Sequence, residues 1–333
     1  MPIEKTKWPP VLAVLVLAPW FAEMSWGGYP LTDIPVILLF VGPLYGGAAL
    51  LIREVARRTG RGWPTIVLLG AAFGVLQAGL VDQSLFNPAY DRYDFQHPVH
   101  VDGLDISLYY LLAFVAGHVV ASIVAPIAVA ECWSRRGSEP WLTRRSRSWV
   151  AGVYVLATVI NHFGVKDEVG HGFQAEPVQM AAAAAAVAVL VVAALRWRPR
   201  PATDVRVPGP LVVAGLGFGA YLLYLPGENA AALVFGVFVL LLAVVVLGTW
   251  SRSRRWTADH TVALIAGSVL VGVVVPFWSE PYDDSVGAAQ ELAADVAAAT
   301  VCLVIVVSTA YRRRSLRSGA SAAPTRRALP RPG

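Results

Sequence analysis

Residues 230–255 read AAALVFGVFVLLLAVVVLGTWSRSRR, a run of uncharged, mostly apolar residues closed by Arg252, Arg254 and Arg255. A helix that spans a bilayer needs roughly 17–25 such residues, and short loops kept in the cytoplasm hold the Lys and Arg that translocated loops lack. This segment therefore predicts one membrane crossing and also the side on which it ends. Comparable runs recur at 10–26, 34–52, 64–81, 108–130, 149–165, 178–195, 211–225, 261–278 and 293–311. Together with 230–250 they make ten predicted spans, an all-α polytopic transmembrane helix bundle.

The composition agrees. Of 333 residues, 56% are hydrophobic and 15% charged, with a mean hydropathy of +0.57, whereas soluble domains carry about 25% charged residues. The longest segment between spans, 82–107, is too short for a soluble catalytic or nucleotide-binding domain. No P-loop is possible either, because the only lysines are Lys5, Lys7 and Lys166.

Alternate connections divide the charge. All but two of the 27 basic residues fall on one side, and the exceptions are Arg92 and Lys166. A missed or invented span would put later loops out of phase, so the alternation predicts ten crossings with both termini cytoplasmic, in a plasma membrane. On the basic side the only acids are Glu4, Glu54, Glu131, Glu139, Asp204 and Asp259, leaving 16 of the 22 at or beyond the outer boundary. Insertion bias and anionic lipid heads account for the basic rim, so the pI near 9.4 does not imply nucleic acid. The expected partners are the lipid bilayer and, from the acidic outer face, a cationic or neutral small solute.

Lys5 and Lys7 before the apolar run 11–18 resemble the start of a secretory signal, but Pro19, Trp20 and Phe21 stand where small residues at a cleavage site would be, and the run reads as a retained first span. Cys132 and Cys302 lie at the inner boundary and in the last span, which excludes disulfides. The chain reads as one domain over 1–311, with a polar-core half (10–165) and a nearly featureless scaffold half (178–311). A basic cytoplasmic tail expected to be disordered follows at 312–333. Gly42/Gly46, Gly70/Gly74 and Gly215/Gly219 have the four-residue spacing at which transmembrane helices approach closely.

Polar groups at membrane depth are costly and normally face the bundle interior or a water-filled cavity. Here they concentrate in the first five spans: Glu23, Gln77, His118 and the stripe Tyr154, Thr158, Asn161, His162. Glu23, Gln77, His118, Asn161 and His162 form the candidate site, in one cavity opening outward, with His118 and His162 as candidate metal ligands. The outer loop adds Asp91-x-x-Asp94 and His97-x-x-His100, a mixed carboxylate and imidazole set suited to a divalent metal ion, followed by Asp102 and Asp105. The loop aromatics Phe86, Tyr90, Tyr93 and Phe95 suit a lid over the outer vestibule.

Phe114-x-x-x-His118 followed by a helix-borne His162 resembles the CPBP (CAAX protease and bacteriocin-processing) intramembrane proteases, whose pattern runs Glu-Glu-x-x-x-Arg, Phe-x-x-x-His and His-x-x-x-Asn on successive helices. The likeness covers about 90 residues. It implies a hydrolytic water or metal held between imidazoles and a carboxylate. In this chain the Glu-Glu position holds Gln77 and Ala78, the Arg position Asp82 and the final Asn position Lys166, so Glu23 would have to supply the carboxylate. Three functional expectations follow. A bundle of ten spans without a soluble domain is expected to be a small-solute transporter; the alternatives are a membrane-embedded hydrolase and a non-catalytic assembly or sensing protein.

Overall fold

The computed structural model describes residues 6–134, 137–282 and 286–321. Among them nine helices have the length and apolarity to cross a membrane: α1 (Trp8–Trp26), α2 (Leu31–Arg58), α3 (Trp63–Val81), α4 (Leu108–Trp133), α5 (Arg144–Glu168), α6 (Pro177–Arg196), α8 (Ala230–Trp250), α9 (Ala258–Trp278) and α10 (Ala288–Ser321). The seventh in order, α7 (Pro210–Leu223), is apolar but has only 14 residues. The protein is a multi-pass helical membrane protein.

Helix α7 is about 21 Å long at 1.5 Å per residue, short of a ~30 Å hydrocarbon core. Its surroundings show how the chain makes up the difference. Before it, Thr203 pairs with the segment after α8, through Thr203 N to Arg252 O at 3.0 Å and Arg254 N to Thr203 O at 2.9 Å. Both ends of the α7–α8 hairpin therefore lie on one side, and residues 204–229 cover the same distance as the 21-residue return helix. Helix α7 also runs parallel to α9: His260 Nε2 meets Pro208 O at 3.1 Å near one end, and Tyr221 packs on Val271 near the other. Non-helical residues 204–209 and 224–229 flank it, in line with the tenth crossing expected from the sequence.

The loops gather on two faces. On the basic face Lys7 N donates to Trp141 O (2.9 Å), Arg61 to Leu195 O (3.1 Å) and Trp133 Nε1 to Thr309 Oγ1 (3.1 Å), while Arg313 pairs with Asp259 (2.6 Å). On the acidic face Asn87 Nδ2 donates to Gly170 O (3.2 Å), Gln179 Nε2 to Leu104 O (3.0 Å) and Tyr282 N to Gly28 O (2.8 Å). Ser107 caps α4 by accepting from Tyr110 N, and a two-stranded hairpin, β1 (His100–Val101) with β2 (Ile106–Ser107), leads into that cap. The last helix continues to Ser321, so residues 312–321, expected in the tail, belong to it; residues 322–333 lie outside the described residues, as do Asp283 and Asp284.

Two of the three glycine ridges pack. A Cβ on Gly46 would stand 2.7 Å from Leu15 Cα, and one on Gly74 3.0 Å from Val115 Cα, so α1 and α4 press directly on the backbones of α2 and α3. Gly215 and Gly219 instead face open space. The contact there is made by Gly217 against Leu264 O and by Gly267 against Ala214 O, where an added Cβ would fall 2.3 and 2.0 Å from the carbonyl oxygens. A carbonyl cannot yield as a flexible side chain can. Gly267→Ala should cost about 1–3 kcal/mol of stability, as overpacking generally does, while Gly215→Ala should leave the melting temperature in detergent almost unchanged.

Candidate functional site

Three helices of the polar half carry a π-helical turn, at Gly42–Gly46, Gln77–Val81 and His118–Val124. A π turn inserts a residue, breaks the regular ladder and re-aims side chains, and such turns recur at functional sites. These three supply Tyr45, Gln77 and His118 to one cavity of about 580 Å³. The fourth wall is α1, whose α-helical part ends at Ala22 and passes into a 3-10 turn at Met24–Trp26, with Glu23 at the junction. The cavity reaches from the acidic-face loops, at Tyr90 and Tyr93, inward to His118 and Ser122.

At its polar floor the groups are tied in pairs. The Tyr45 hydroxyl donates to the Glu23 carboxylate. Gln77, 1% exposed, donates through Nε2 to Asn161 Oδ1 at 2.9 Å and to Asp82 Oδ2 at 3.2 Å, which joins α3 to α5. Asp82 Oδ1 accepts from Ser84 N at 2.9 Å. His118 Nδ1 meets Ser122 Oγ at 2.9 Å, and its ring stands edge-on to Tyr45 and Phe73 with centroids 5.2 and 5.3 Å away. The imidazole is thus fixed in orientation by both a hydrogen bond and two rings.

Of the five expected site residues, Glu23, Gln77, His118 and Asn161 line this cavity, and His162 does not. His162 Nδ1 is turned to Val81 O at 2.7 Å, against the carbonyl that ends the π turn of α3. The polar stripe of α5 therefore divides: Asn161 faces the cavity, His162 braces its wall, and Thr158 bonds back to Tyr154 O at 2.9 Å. His118 and His162 thus have separate partners for Nδ1, Ser122 Oγ and Val81 O.

The loop set Asp91, Asp94, His97, His100 separates as well. His97 Nδ1 pairs with Asp94 at 2.9 Å, while His100 Nε2 turns to Asp105 (3.4 Å) and Asp102 (3.6 Å); Asp91 lines the cavity mouth. The two rings stack with centroids 4.9 Å apart, and each keeps its own carboxylate partner on this surface loop. Among the described residues no three His, Cys, Asp or Glu side chains converge as a metal site.

Sequence reading missed Asp82, Tyr45, Tyr29 and Tyr282 as cavity residues. Asp82 follows the last residue of α3, and burial pushes its carboxyl above the usual carboxylate range, against the opposing hydrogen bonds from Ser84 and Gln77. A carboxyl raised in this way favours the folded chain at low pH, and the contribution is lost as pH rises through the raised value. Asp82→Asn removes that loss. Its melting temperature relative to the wild type should therefore climb as pH rises above the ordinary carboxylate range, as read by thermal denaturation across buffers; a difference that does not change with pH would show that the Asp82 carboxyl is not raised.

A family-level match covers residues 12–324, and the family is described as an uncharacterized membrane protein family. The chain belongs to that family. No curated protein and no solved structure matches the chain. The match takes in every residue of the cavity wall, from Ala22 to Tyr282. No CPBP match accompanies it, and the resemblance read from Phe114, His118 and His162 stands without support at the family level.

Proposed function

We propose that this membrane protein is a small-solute carrier whose basic face lies in the cytoplasm, in a plasma membrane, and whose cavity opens to the outer, acidic face. The cavity itself is the observation that carries this reading. Its volume of about 580 Å³ lies within the range of small-molecule sites. Its polar groups come from five helices, and polar groups at this depth are expensive to keep in a purely structural bundle. Three of the wall helices are interrupted by π turns, which is in keeping with the discontinuous helices that usually build a solute site within a bilayer. The hydrolase reading required His162 beside His118, and His162 is committed to Val81 O.

The test is equilibration by purified protein in proteoliposomes, with labelled choline, alanine and glucose as cationic, zwitterionic and neutral probes. At least one should equilibrate faster than in vesicles carrying the Glu23→Gln/His118→Ala double variant. Equal rates for all three would overturn the carrier reading.

A further inference from the structure

The cavity wall is charged in one sense only. Glu23, Asp82, Asp91 and Glu168 line it, and among the described residues no lysine or arginine does. Arg92 lies near the mouth with its guanidinium 5.3 Å from the Tyr93 ring centroid and donates to Pro281 O at 2.5 Å. Nine Trp, Tyr and Phe side chains share the wall with the carboxylates. At the mouth their rings stand at angles to one another, Tyr29 to Tyr282 at 4.9 Å and 58°, and Tyr93 to Tyr282 at 6.5 Å and 85°. Rings set at such angles direct faces and edges into the same space. Ring faces are electron-rich, so they attract a cation whose charge is spread over carbon, and they do so more strongly once water is excluded.

A second observation comes from the floor. Gln77 is buried, both its amide hydrogens are used on Asp82 and Asn161, and its Oε1 has no hydrogen-bond partner. A buried acceptor without a donor costs free energy that a bound donor would recover. Carboxylates and aromatic faces suit an alkylated cation, and the idle carbonyl oxygen suits a donor carried on the same guest, an N–H or a hydroxyl such as choline's. An anion would meet like charge at each of the four carboxylates. A bare divalent ion would need a compact set of oxygen or nitrogen ligands, and no such cluster forms among the described residues.

We infer that the solute of this cavity is an alkylated ammonium ion, its charge facing Glu23 and Asp82 and its alkyl groups against the tyrosine rings. Only the transport of that cation rests on the carrier reading; its binding does not. Titration calorimetry on the full chain in detergent, with choline and its neutral isostere 3,3-dimethylbutanol, separates charge recognition from apolar burial. Choline should bind to saturation at least about 30-fold more tightly than the isostere, and Glu23→Gln should weaken choline by a similar factor, the scale of losing one partner of a buried charge pair. Glu23→Asp should recover much of the loss. If Glu23→Gln does not fold, Tyr282→Ala, at the exposed mouth, should weaken choline by about 3–30-fold with the isostere little changed.

Equal binding of the two compounds, no saturable choline binding, or full affinity in the folded Glu23→Gln variant would each overturn the inference. The two proposals fail separately. Saturable choline binding with no probe equilibrated in proteoliposomes removes the carrier reading alone, and equilibration of glucose without choline binding removes this inference alone.

Discussion

Glu54→Ala should destabilise the protein by about 3–5 kcal/mol, the usual cost of removing one partner from a buried ion pair. Glu54 is 2% exposed and Arg53 0%. The Glu54 carboxylate accepts from Arg53 (3.3 Å), Arg58 (2.9 Å) and Trp141 N (2.6 Å). Arg53 in turn reaches Glu131 at 2.9 Å and the carbonyls of Gly137 and Glu139, both at 2.9 Å, with its guanidinium 3.2 Å from the Trp141 ring centroid. Arg57 completes the set with bonds of 2.8 and 2.7 Å to Glu131. Removing Glu54 leaves Glu131 as the one carboxylate beside three guanidinium groups and the Trp141 backbone N–H without a partner, whereas Glu54→Gln keeps the geometry and should cost less. Melting temperatures of the two variants in detergent check the order; an Ala variant as stable as wild type would mean that water reaches the cluster.

His118→Ala should reduce uptake by about ten- to a hundred-fold, the scale of losing a hydrogen-bonding group that meets a charged or polar guest, while the chain still inserts. The imidazole is too deep to reach bulk water, and Ser122, Tyr45 and Phe73 hold its orientation at the cavity wall. Replacing His97 and His100 together should lower uptake only moderately, because their partners are Asp94, Asp102 and Asp105 on the loop. Uptake retained in full by a His118→Ala protein with a lowered melting temperature would assign the histidine to structure.

The spans and the division into two faces were legible because hydropathy and charge are local properties of the chain. Even the undersized α7, at Pro210–Leu223, overlaps its expected span of 211–225, and the pairing of residues 203 and 252 brings both ends of the α7–α8 hairpin to one side. Helix pairing is not local in this sense. The four-residue spacing of Gly215 and Gly219 is a sound signal, yet Gly217 is the glycine that meets α9, because the rotation of α7 is set by its neighbour and not by its own sequence.

The ion cluster escaped for a related reason. Counting charge by face treats Arg53, Arg57 and Arg58 as rim, although three of the six acids on that face, Glu54, Glu131 and Glu139, turn out to be their partners or Lys7's. In the cavity, residues of plainly polar type were legible singly. Tyr29 and Tyr282 were not, since interfacial tyrosines are explained by the membrane boundary alone, and neither was Tyr45, an aromatic in mid-span that reads as ordinary apolar packing. The π turns that re-aim Tyr45, Gln77 and His118 leave no mark in hydrophobic periodicity.

The account depends most directly on a polar cavity within the bundle that is open to the acidic face. Cysteine placed at Ala113 or Gly117, both on the cavity wall, and at Val234, a lipid-facing position 70% exposed, provides the test once Cys132 and Cys302 have been replaced. A membrane-impermeant cationic methanethiosulfonate reagent added to intact cells should modify the cysteines at 113 and 117 and spare the one at 234. Modification of neither cavity position from outside, or of both only after the basic face is exposed, would contradict the account.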